Sequence, residues 1–521
     1  MASLFSSFGY NFGGQLIARI ISFAINMYLL RKIDNDVLGL VNVRLTLLYT
    51  SILFLTREPM RKAHIMRDSL PKFVNLLWLS PIIGLAISIV CIFIWLTFSS
   101  TSENVSFFVL LSFPASALIE TLAEPFAVIS LRFSLGQHFA IGQGILVCLK
   151  RVFVFFALFA FPDVYHLDLF AYAQYFGSIA YLLFNVVAFR SYIKNKSKPE
   201  LEDFHSFEDL LPKPAEGLDS DSITAVTTMF SHSILKQLIT DGSAYIMTFT
   251  DMLSLKNQAV FDAVERVGSL VARTVLAPLE ENCYAHFANH LHQQKEAKRG
   301  QTINSMENQK IIDTLSTILH VVGVIGCVVC VFGIPYSPTV IHLYGGALLS
   351  ENGGAVLLSL YSAYVLVMAI NGITECFAMA SMDNTQVLLH GKFLLFSAIG
   401  HLTINYILCL YLNSAGFIVA NIINMIIRII YSWRHISNLL GDRTPSIFTV
   451  LPSSSTVVFL FASFFATGFS YLIFGATPGL SHTLAHLAIG AVLFSVLSMS
   501  IAQHDQVFYG LINGFLKNHQ A

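Results

Sequence analysis

The stretch that decides the fold runs from Asn42 to Tyr49 and reads NVRLTLLY; it continues through Phe54-Leu55 into REPMRKA, residues Arg57–Ala63. It places one arginine inside an apolar run and a basic cluster at the end of that run. Since a charge at the centre of a bilayer costs roughly 2.5–3.5 kcal/mol on insertion scales, such an arginine normally faces a polar cavity or a partner. The stretch therefore predicts a membrane-spanning helix whose arginine points away from lipid.

Composition extends this prediction to the whole chain. Of 521 residues, 55% are hydrophobic and 12% are charged, and the mean hydropathy is +0.67. No soluble core of this size requires so many apolar residues, so we predict an all-α polytopic membrane protein. The formal net charge of −1 gives no reason to expect a nucleic-acid partner. The N-terminus does not read as a removable signal peptide, so the first span is expected to stay as an anchor.

With about 20 apolar residues as the length of one span, the chain predicts fourteen transmembrane helices. They fall near 12–31, 37–55, 74–98, 105–129, 138–160, 166–189, 223–249, 257–285, 311–334, 353–380, 387–411, 415–433, 450–474 and 482–502. The two most polar breaks are 190–222 and 286–310, and the first divides the chain into six helices and eight.

The distribution of Lys and Arg predicts the orientation. We assign nineteen of them to the even-numbered connections and the tail, and only Arg31, Lys32 and Lys256 to the odd-numbered connections. Because cytosolic connections carry the excess of basic residues, both termini are expected on the cytosolic side.

Eight further basic residues fall inside the predicted spans, and their helical phase is informative. Three helices carry polar stripes at spacings that place side chains on one face: Gln15, Arg19, Ser22 and Asn26; Asp262, Arg266, Ser269, Arg273 and Glu280; Asn421, Asn424 and Arg428. A polar stripe of this length should face protein or water rather than lipid.

Each stripe also has a structural interpretation. Asp262 and Arg266 are four residues apart and could neutralise each other between packed helices. Arg19 and Arg428 have no acid within one turn, which favours a cavity role for both.

One basic pair invites a specific expectation. Lys150 and Arg151 are adjacent and point about 100° apart on a helix. We expect one of them to snorkel or to pair with Glu120 or Glu124.

The sequence has little that would support an enzymatic function. Cys327 and Cys330 have the spacing of a redox or metal pair but sit in an apolar span without a second pair. The chain has no phosphate-binding loop motif of its own, and no nucleophile–base motif stands out. We predict no enzyme, no cofactor and no metal site.

Motifs along nearly the whole chain resemble the eukaryotic Rft-type family, within the multidrug/oligosaccharidyl-lipid/polysaccharide exporter superfamily. Besides the opening stretch, they are Glu124–Phe126, Leu235–Gly242 with Tyr245 and Met247–Phe249, Gly268–Arg273, Pro278–Glu281, Tyr344–Gly346, Asn371–Phe377 and Gly416–Asn421. Where the family often has Glu in its Lys-Gln-x-x-Thr-x-Gly motif, this chain has Asp241, which keeps the charge and shortens its reach.

The resemblance implies two six-helix lobes related by a pseudo-twofold axis, with two extra helices, alternating between inward and outward openings. On this plan the N-lobe is 1–190, a cytosolic linker is 191–222, the C-lobe is 223–440, and the extra helices and tail are 441–521. The implied substrate is a dolichyl diphosphate bearing five mannoses and two N-acetylglucosamines. It would be moved from the cytosolic to the luminal leaflet of the endoplasmic reticulum membrane for N-glycosylation.

The chemistry of that substrate suggests candidate residues. Arginines can hold a diphosphate bidentately, and amides suit sugar hydroxyls. We assign substrate contact to Arg19, Arg44, Arg57, Lys236, Arg273, Arg428, Gln15, Asn26 and Asn421, and a gate or coupling role to Asp241, Glu280 and Glu375. At 100° per residue, Asn42, Arg44 and Arg57 cannot all face one point. Membrane lipid and enzymes of the dolichol glycosylation pathway are the further expected partners.

Two alternatives stay open. A non-transporting accessory protein could bind or hand over the same glycolipid, because a cavity for the head group is expected of both. An ion-coupled exporter of organic cations should instead have an acid-dominated cavity, whereas here basic residues at least match acidic ones.

Overall fold

In a computed structural model, the chain is described over residues 23–62, 69–99, 105–196, 198–297, 305–475 and 479–510. Its helices, in chain order, are α1 (23–32), α2 (Asn35–Lys62), α3 (Leu70–Phe98), α4 (Phe107–Arg132), α5 (Gly136–Ala160), α6 (His166–Asn195), α7 (Ser220–Thr240), α8 (Gly242–Phe249), α9 (Leu255–Val271, continuing through Ala272–Leu276 and Ala277–Ala297), α10 (Ser305–Gly345), α11 (Ala347–Glu351), α12 (Gly354–Ser381), α13 (Asn384–Leu412), α14 (Ser414–Leu440), α15 (Ser454–Ser470), α16 (Leu480–His504) and α17 (506–510). The fold is therefore all-helical across these ranges.

Within the described ranges, eleven helices are long and apolar enough to cross a membrane. They are α2 to α6, α10 and α12 to α16. Each coincides with one of the predicted spans two to six and nine to fourteen. The chain is thus a multi-pass membrane protein, as its hydropathy predicts.

The other three predicted spans have different outcomes. Of the first, 12–31, residues 12–22 lie outside the described residues and the rest is helical in α1. The seventh, 223–249, is two helices, because the chain leaves helical geometry at Asp241 (φ −106°, ψ 18°) before Gly242 starts α8. The eighth, 257–285, lies inside the longer helix α9.

Two π-helical turns interrupt the α-helical geometry at predicted functional arginines. One, Leu40–Leu45, contains Arg44, and the other, Ala272–Leu276, contains Arg273. A π turn adds a residue to the helical repeat and shifts the phase of the side chains around it, and such turns are frequent at functional sites. Phase angles counted at 100° per residue therefore do not hold across these two segments.

Close backbone contact joins α2 to the start of α9. A Cβ atom at Gly39 would collide with the backbone carbonyl of Leu255. Glycine permits this approach because it has no side chain, and small residues are the usual means of bringing membrane helices together.

The predicted linker, 191–222, is folded against its neighbours. Leu201, Phe204 and Leu210 are buried in one apolar cluster with Phe126 and Phe189. Two side chains also hold the segment by its backbone: Trp78 Nε1 donates to the Leu210 carbonyl at 2.7 Å, and the Asn75 amide bonds to Lys213 and Gly217. The apolar residues scattered among its charges are the reason that this polar segment is folded.

The chain divides into two compact units, Met1–Ala259 and Val260–Ala521. The predicted lobe boundaries at 190, 222 and 440 stay a prediction. The first and second units, so defined, each contain a buried charge cluster.

Candidate functional site

Inside the first unit, a buried ion network centres on Glu120 of α4. One carboxylate oxygen of Glu120, Oε1, accepts hydrogen bonds from Tyr49 (2.6 Å), Lys150 (2.8 Å) and Ser178 (2.7 Å). The other oxygen, Oε2, accepts from Arg57 Nη2 at 2.8 Å. Glu120 has no solvent exposure. A buried carboxylate with four donors is well compensated for the loss of water.

A second carboxylate extends this network by one helical turn. Glu124 Oε2 lies 2.9 Å from Arg57 Nε, and Glu124 Oε1 accepts from Arg61 Nε at 2.5 Å. The arrangement follows from the spacing, because residues four apart share a helix face: Arg57 and Arg61 on α2 meet Glu120 and Glu124 on α4.

Three cations meet two carboxylates in this first-unit network. Arg57 contacts both Glu120 and Glu124, Arg61 contacts Glu124, and Lys150 contacts Glu120. The expectation that Lys150 or Arg151 pairs with one of these acids is confirmed for Lys150.

A smaller cluster around Glu58 of α2 is also basic. Lys236 of α7 lies 2.7 Å from Glu58, and Lys62 lies 3.2 Å from the same carboxylate oxygen. The side chains of Lys236 and Lys62 are 56% and 45% exposed. A predicted substrate contact, Lys236, is thus an accessible cation in a group where two lysines share one acid.

Arg44 has partners outside the network of Glu120 and Glu124. It is 2% exposed, its Nε donates to Gln258 Oε1 at 3.1 Å, and its Nη2 lies 3.4 Å from Asp251. Gln258 is fixed in turn by the carbonyls of Met247 and Leu253. Arg44 and Arg57 therefore have different partners.

The break between α7 and α8 contains the predicted gate acid Asp241. Its Oδ2 accepts from Gln237 Nε2 at 2.7 Å. Gln237 also lies 3.4 Å from Ser51, whose hydroxyl bonds to Tyr245 at 2.7 Å. A short polar chain therefore links the break to α2.

The predicted stripe of the first helix is only partly described. Arg19 and Gln15 lie outside the described residues. Asn26 accepts a hydrogen bond from Arg151 Nη1.

In the second unit, the charge cluster centres on Glu375 of α12. Arg428 Nη2 of α14 contacts both of its carboxylate oxygens, at 2.7 and 2.6 Å. Asn371 Nδ2, one turn away on α12, donates to Glu375 Oε2 at 3.1 Å. His390 Nε2 of α13 lies 3.6 Å from Glu375 Oε1. We call these four residues the Glu375 cluster. Arg428, which has no acid within a turn of its own helix, finds one on another helix.

Two amides on α14 are paired with α13. Asn421 Oδ1 lies 2.8 Å from His401 Nε2, and Asn424 Oδ1 accepts from Ser397 Oγ at 2.8 Å. The polar stripe of α14 therefore faces protein, as its spacing predicts.

The side chains of the polar stripe in the eighth predicted span lie in different environments. Asp262 and Arg266 form an i, i+4 pair at 2.8 Å, as the structural interpretation of this stripe has it. The Glu280 carboxylate lies against Gly372 of α12, where a Cβ atom would collide with it. Arg273 is exposed.

Sequence reasoning left Arg61, Glu120, Glu124, Asn371 and His390 out of the predicted site. Four of them had a signal: Arg61 and Glu124 stand in motifs, Glu120 is an acid within a span, and Asn371 lies four residues from Glu375. His390 had none, because a single histidine in an apolar run most often marks nothing.

Comparisons with known proteins agree on one family. A family model described as "Rft-1: Rft protein" matches residues 3–513. A relative from Caenorhabditis elegans, "Man(5)GlcNAc(2)-PP-dolichol translocation protein RFT1", is 66% identical and the alignment covers 99% of this chain and 100% of the relative. A relative of the same name from Xenopus tropicalis is 31% identical, with 97% and 96% covered.

Solved structures give the fold. An inward-facing multidrug resistance MATE family transporter of the MOP superfamily matches with a TM-score of 0.59 at 12% identity, over 81% of this chain and 94% of its own. The lipid II flippase MurJ, in an inward closed conformation, matches with a TM-score of 0.57 at 14% identity, over 94% and 99%. This chain has the fold of those transporters, and its near full-length match to the family model and its 66% identity to a named member show that it belongs to the Rft family.

Proposed function

We propose that this chain moves Man5GlcNAc2-PP-dolichol from the cytosolic to the luminal leaflet of the endoplasmic reticulum membrane, where N-glycosylation uses it. The observation that carries the proposal is the 66% identity, over 99% of the chain, to a relative named as the translocation protein for that glycolipid. The fold of MATE and MurJ transporters supports a transport role over a catalytic one.

The proposed architecture is the one that the superfamily resemblance implies. Fourteen spans would form two six-helix lobes, 1–190 and 223–440, with two extra helices after 441 and both termini in the cytosol. The eleven helices found at predicted positions support this arrangement. Lobes that open alternately to the two leaflets would let a polar head group pass while the polyprenyl tail stays in lipid.

Two clusters that are rich in cations favour an anionic substrate. The first-unit network has three cations for two carboxylates, and the Lys236 group has two lysines for one. Cationic side chains gathered at one place form strong charge-assisted hydrogen bonds to phosphate oxygens, so these positions would favour an anion beside them. A diphosphate supplies that anion, whereas an organic cation would be repelled.

Carboxylates that hold arginines suggest how the anion is received. Arg57 and Arg428 each contact carboxylate oxygens in the geometry that a phosphate oxygen would also accept. We propose that the diphosphate replaces these carboxylates in turn, with Arg19, Arg44, Lys236 and Arg273 as further anion contacts along the path. Gln15, Asn26 and Asn421 would bind sugar hydroxyls, and Asp241, Glu280 and Glu375 would act as gates or coupling groups.

The test is reconstitution of the purified chain in vesicles that contain the seven-sugar dolichol lipid. A mannose-cleaving enzyme added outside reports which glycolipid molecules reach the outer leaflet. The proposal predicts that the glycolipid of both leaflets becomes accessible, while protein-free vesicles expose only the outer leaflet. An excess of a lipophilic organic cation should leave the rate unchanged.

Two other results would redirect the assignment. Selective binding of the head group without any change in leaflet access would indicate an accessory protein that hands the glycolipid to another transporter. Competition by the organic cation would indicate a drug-type exporter. Either result contradicts the proposal.

A further inference from the structure

Unpartnered polar atoms concentrate around Glu375. Among the residues that the structure describes, the buried atoms without a hydrogen-bond partner include Asn371 Oδ1, both ring nitrogens of His390, Arg428 Nε and Ser432 Oγ. They come from three helices, α12, α13 and α14. Since buried polar groups are nearly always satisfied, each exception calls for an explanation.

His390 is the most unusual member of this group. Its side chain is only 3% exposed. The distance from its Nε2 to Glu375 Oε1 is 3.6 Å, which is longer than a hydrogen bond. That same oxygen accepts Arg428 Nη2 at 2.7 Å. A neutral imidazole in this position leaves both a donor and an acceptor unsatisfied, whereas a protonated one gains a carboxylate as its partner.

The other groups that face His390 define its electrostatic surroundings. Glu375 faces it from α12, and Tyr431 and His435 face it from α14. Arg428 of α14 approaches the same oxygen, Glu375 Oε1, and Glu280 of α9 interacts electrostatically with both Glu375 and Arg428. His435 is itself bonded to Ser381 at 3.0 Å. Glu375 is the acid beside His390, so it is the natural acceptor for a charged His390.

We propose that His390 and Glu375 together bind a proton, and that this proton loosens Arg428 from Glu375 so that the guanidinium can hold the diphosphate of the substrate. The inference rests on the proposed function and adds a coupling ion to it. With neutral His390, the charges of Arg428 and Glu375 cancel. With His390 protonated, the three side chains carry one net positive charge, and Glu375 is shared between two cations.

A linkage follows from this arrangement. If the proton raises the affinity of the cluster for a diphosphate by some factor, the diphosphate raises the affinity for the proton by the same factor. A diphosphate esterified at both ends stays ionised between pH 5 and pH 8, so the charge of the substrate is constant in this range. Any change of affinity there therefore reflects a change in the protein.

The first experiment needs no substrate. The purified full-length chain, labelled with carbon-13 in its histidine rings, is titrated by NMR from pH 5 to pH 8, and His390→Gln identifies the signal of interest. We expect that signal to titrate within this range and to move in Glu375→Gln. A His390 signal that stays neutral throughout, or that ignores Glu375→Gln, overturns the inference.

The second experiment measures binding of a short-chain prenyl diphosphate chitobiose at pH 5.5 and pH 7.5. Wild type should bind roughly tenfold more tightly at pH 5.5, within the usual range of such couplings, and His390→Gln should lose this difference. His486→Gln is the matched control, because His486 is equally buried with an unpartnered Nε2 but bonds to Ser470. It should retain the full pH dependence.

The outcomes separate the two proposals. If wild type binds equally at both pH values, or if His390→Gln keeps the full difference in affinity between pH 5.5 and pH 7.5, the proton site is overturned. The glycolipid assignment is unaffected by either result. Failure of the head group to bind at either pH overturns the proposed function instead. Because the wild-type pH profile of binding needs no variant, a His390→Gln protein that does not fold still leaves the inference testable.

Discussion

At the scale of single residues, Glu120 is the acceptor on which the first-unit network depends. Its two oxygens bind donors from α2, α5 and α6, and it is fully buried. Removing one partner of a buried charge group is far more costly than the net worth of the group, because the remaining charges stay buried without compensation. The network therefore holds four helices in one geometry.

Glu120→Gln should accordingly lower the free energy of unfolding by about 3–5 kcal/mol, the usual cost of breaking a buried ion pair. Arg57 and Lys150 would each lose a carboxylate. Thermal unfolding of the purified chain measures the change. Ser178→Ala serves as the control, because it removes one neutral donor and should cost only about 0.5–1.5 kcal/mol. Equal stability of the two variants would contradict the account.

Gly372 offers a second test at this scale. A methyl group there would meet the Glu280 carboxylate, so Gly372→Ala should displace Glu280 and slow glycolipid transport. Gly391→Ala is its control, since a Cβ at Gly391 meets nothing within 4 Å. We expect the control to transport at the wild-type rate. If the two variants behave alike, Glu280 has no role that depends on its place beside α12.

At the scale of elements, hydropathy and span length were sufficient for eleven helices, because the bilayer fixes both. Other features depend on contacts between distant segments, which a single sequence does not encode locally. Arg57 and Glu120 are 63 residues apart, and Arg428 and Glu375 are 53 apart. The polar stripes show that such residues face protein, but they do not name the partner. His390 could be recognised only from its buried position beside Glu375.

The folded linker gives a prediction about pH. A hydrogen bond from Lys213, supported by the backbone amides of Ser206 and His205, holds the pKa of Asp209 below its ordinary value against a smaller effect of burial. A lowered pKa means that Asp209 stabilises the folded turn above its unfolded pKa, and that this contribution disappears as pH falls through the folded value.

Hydrogen exchange of residues 205–211 measures this effect. Protection of these amides in wild type should stay constant from pH 7 to about pH 4, after correction for intrinsic exchange, and fall below that. Asp209→Asn should show, at every pH, the weaker protection that wild type reaches only in acid. Wild-type protection that falls already between pH 7 and pH 5 would assign the transition to another group.

At the scale of the whole molecule, the proposed orientation rests on the excess of basic residues in the even-numbered connections. Glycosylation reports this directly, since only luminal Asn-x-Ser/Thr sites are modified. An extended loop with such a site, inserted at Phe161–Tyr165 between α5 and α6, should gain a glycan. The same loop inserted at Phe133–Leu135 between α4 and α5 should stay unmodified. The opposite pattern would invert the proposed topology.

The most direct test of the central claim is the rate at which the reconstituted chain exposes inner-leaflet dolichol glycolipid to an external enzyme. The account predicts exchange by wild type and by Gly391→Ala. It predicts a rate at least roughly tenfold lower for Arg19→Ala/Arg428→Ala, because the hydrogen bonds of a charged group are worth about 1.5–3 kcal/mol and every 1.4 kcal/mol is a factor of ten. Wild-type vesicles that bind the head group but never exchange it, or a double variant as fast as wild type, would contradict the claim that this chain carries the diphosphate along a path of arginines.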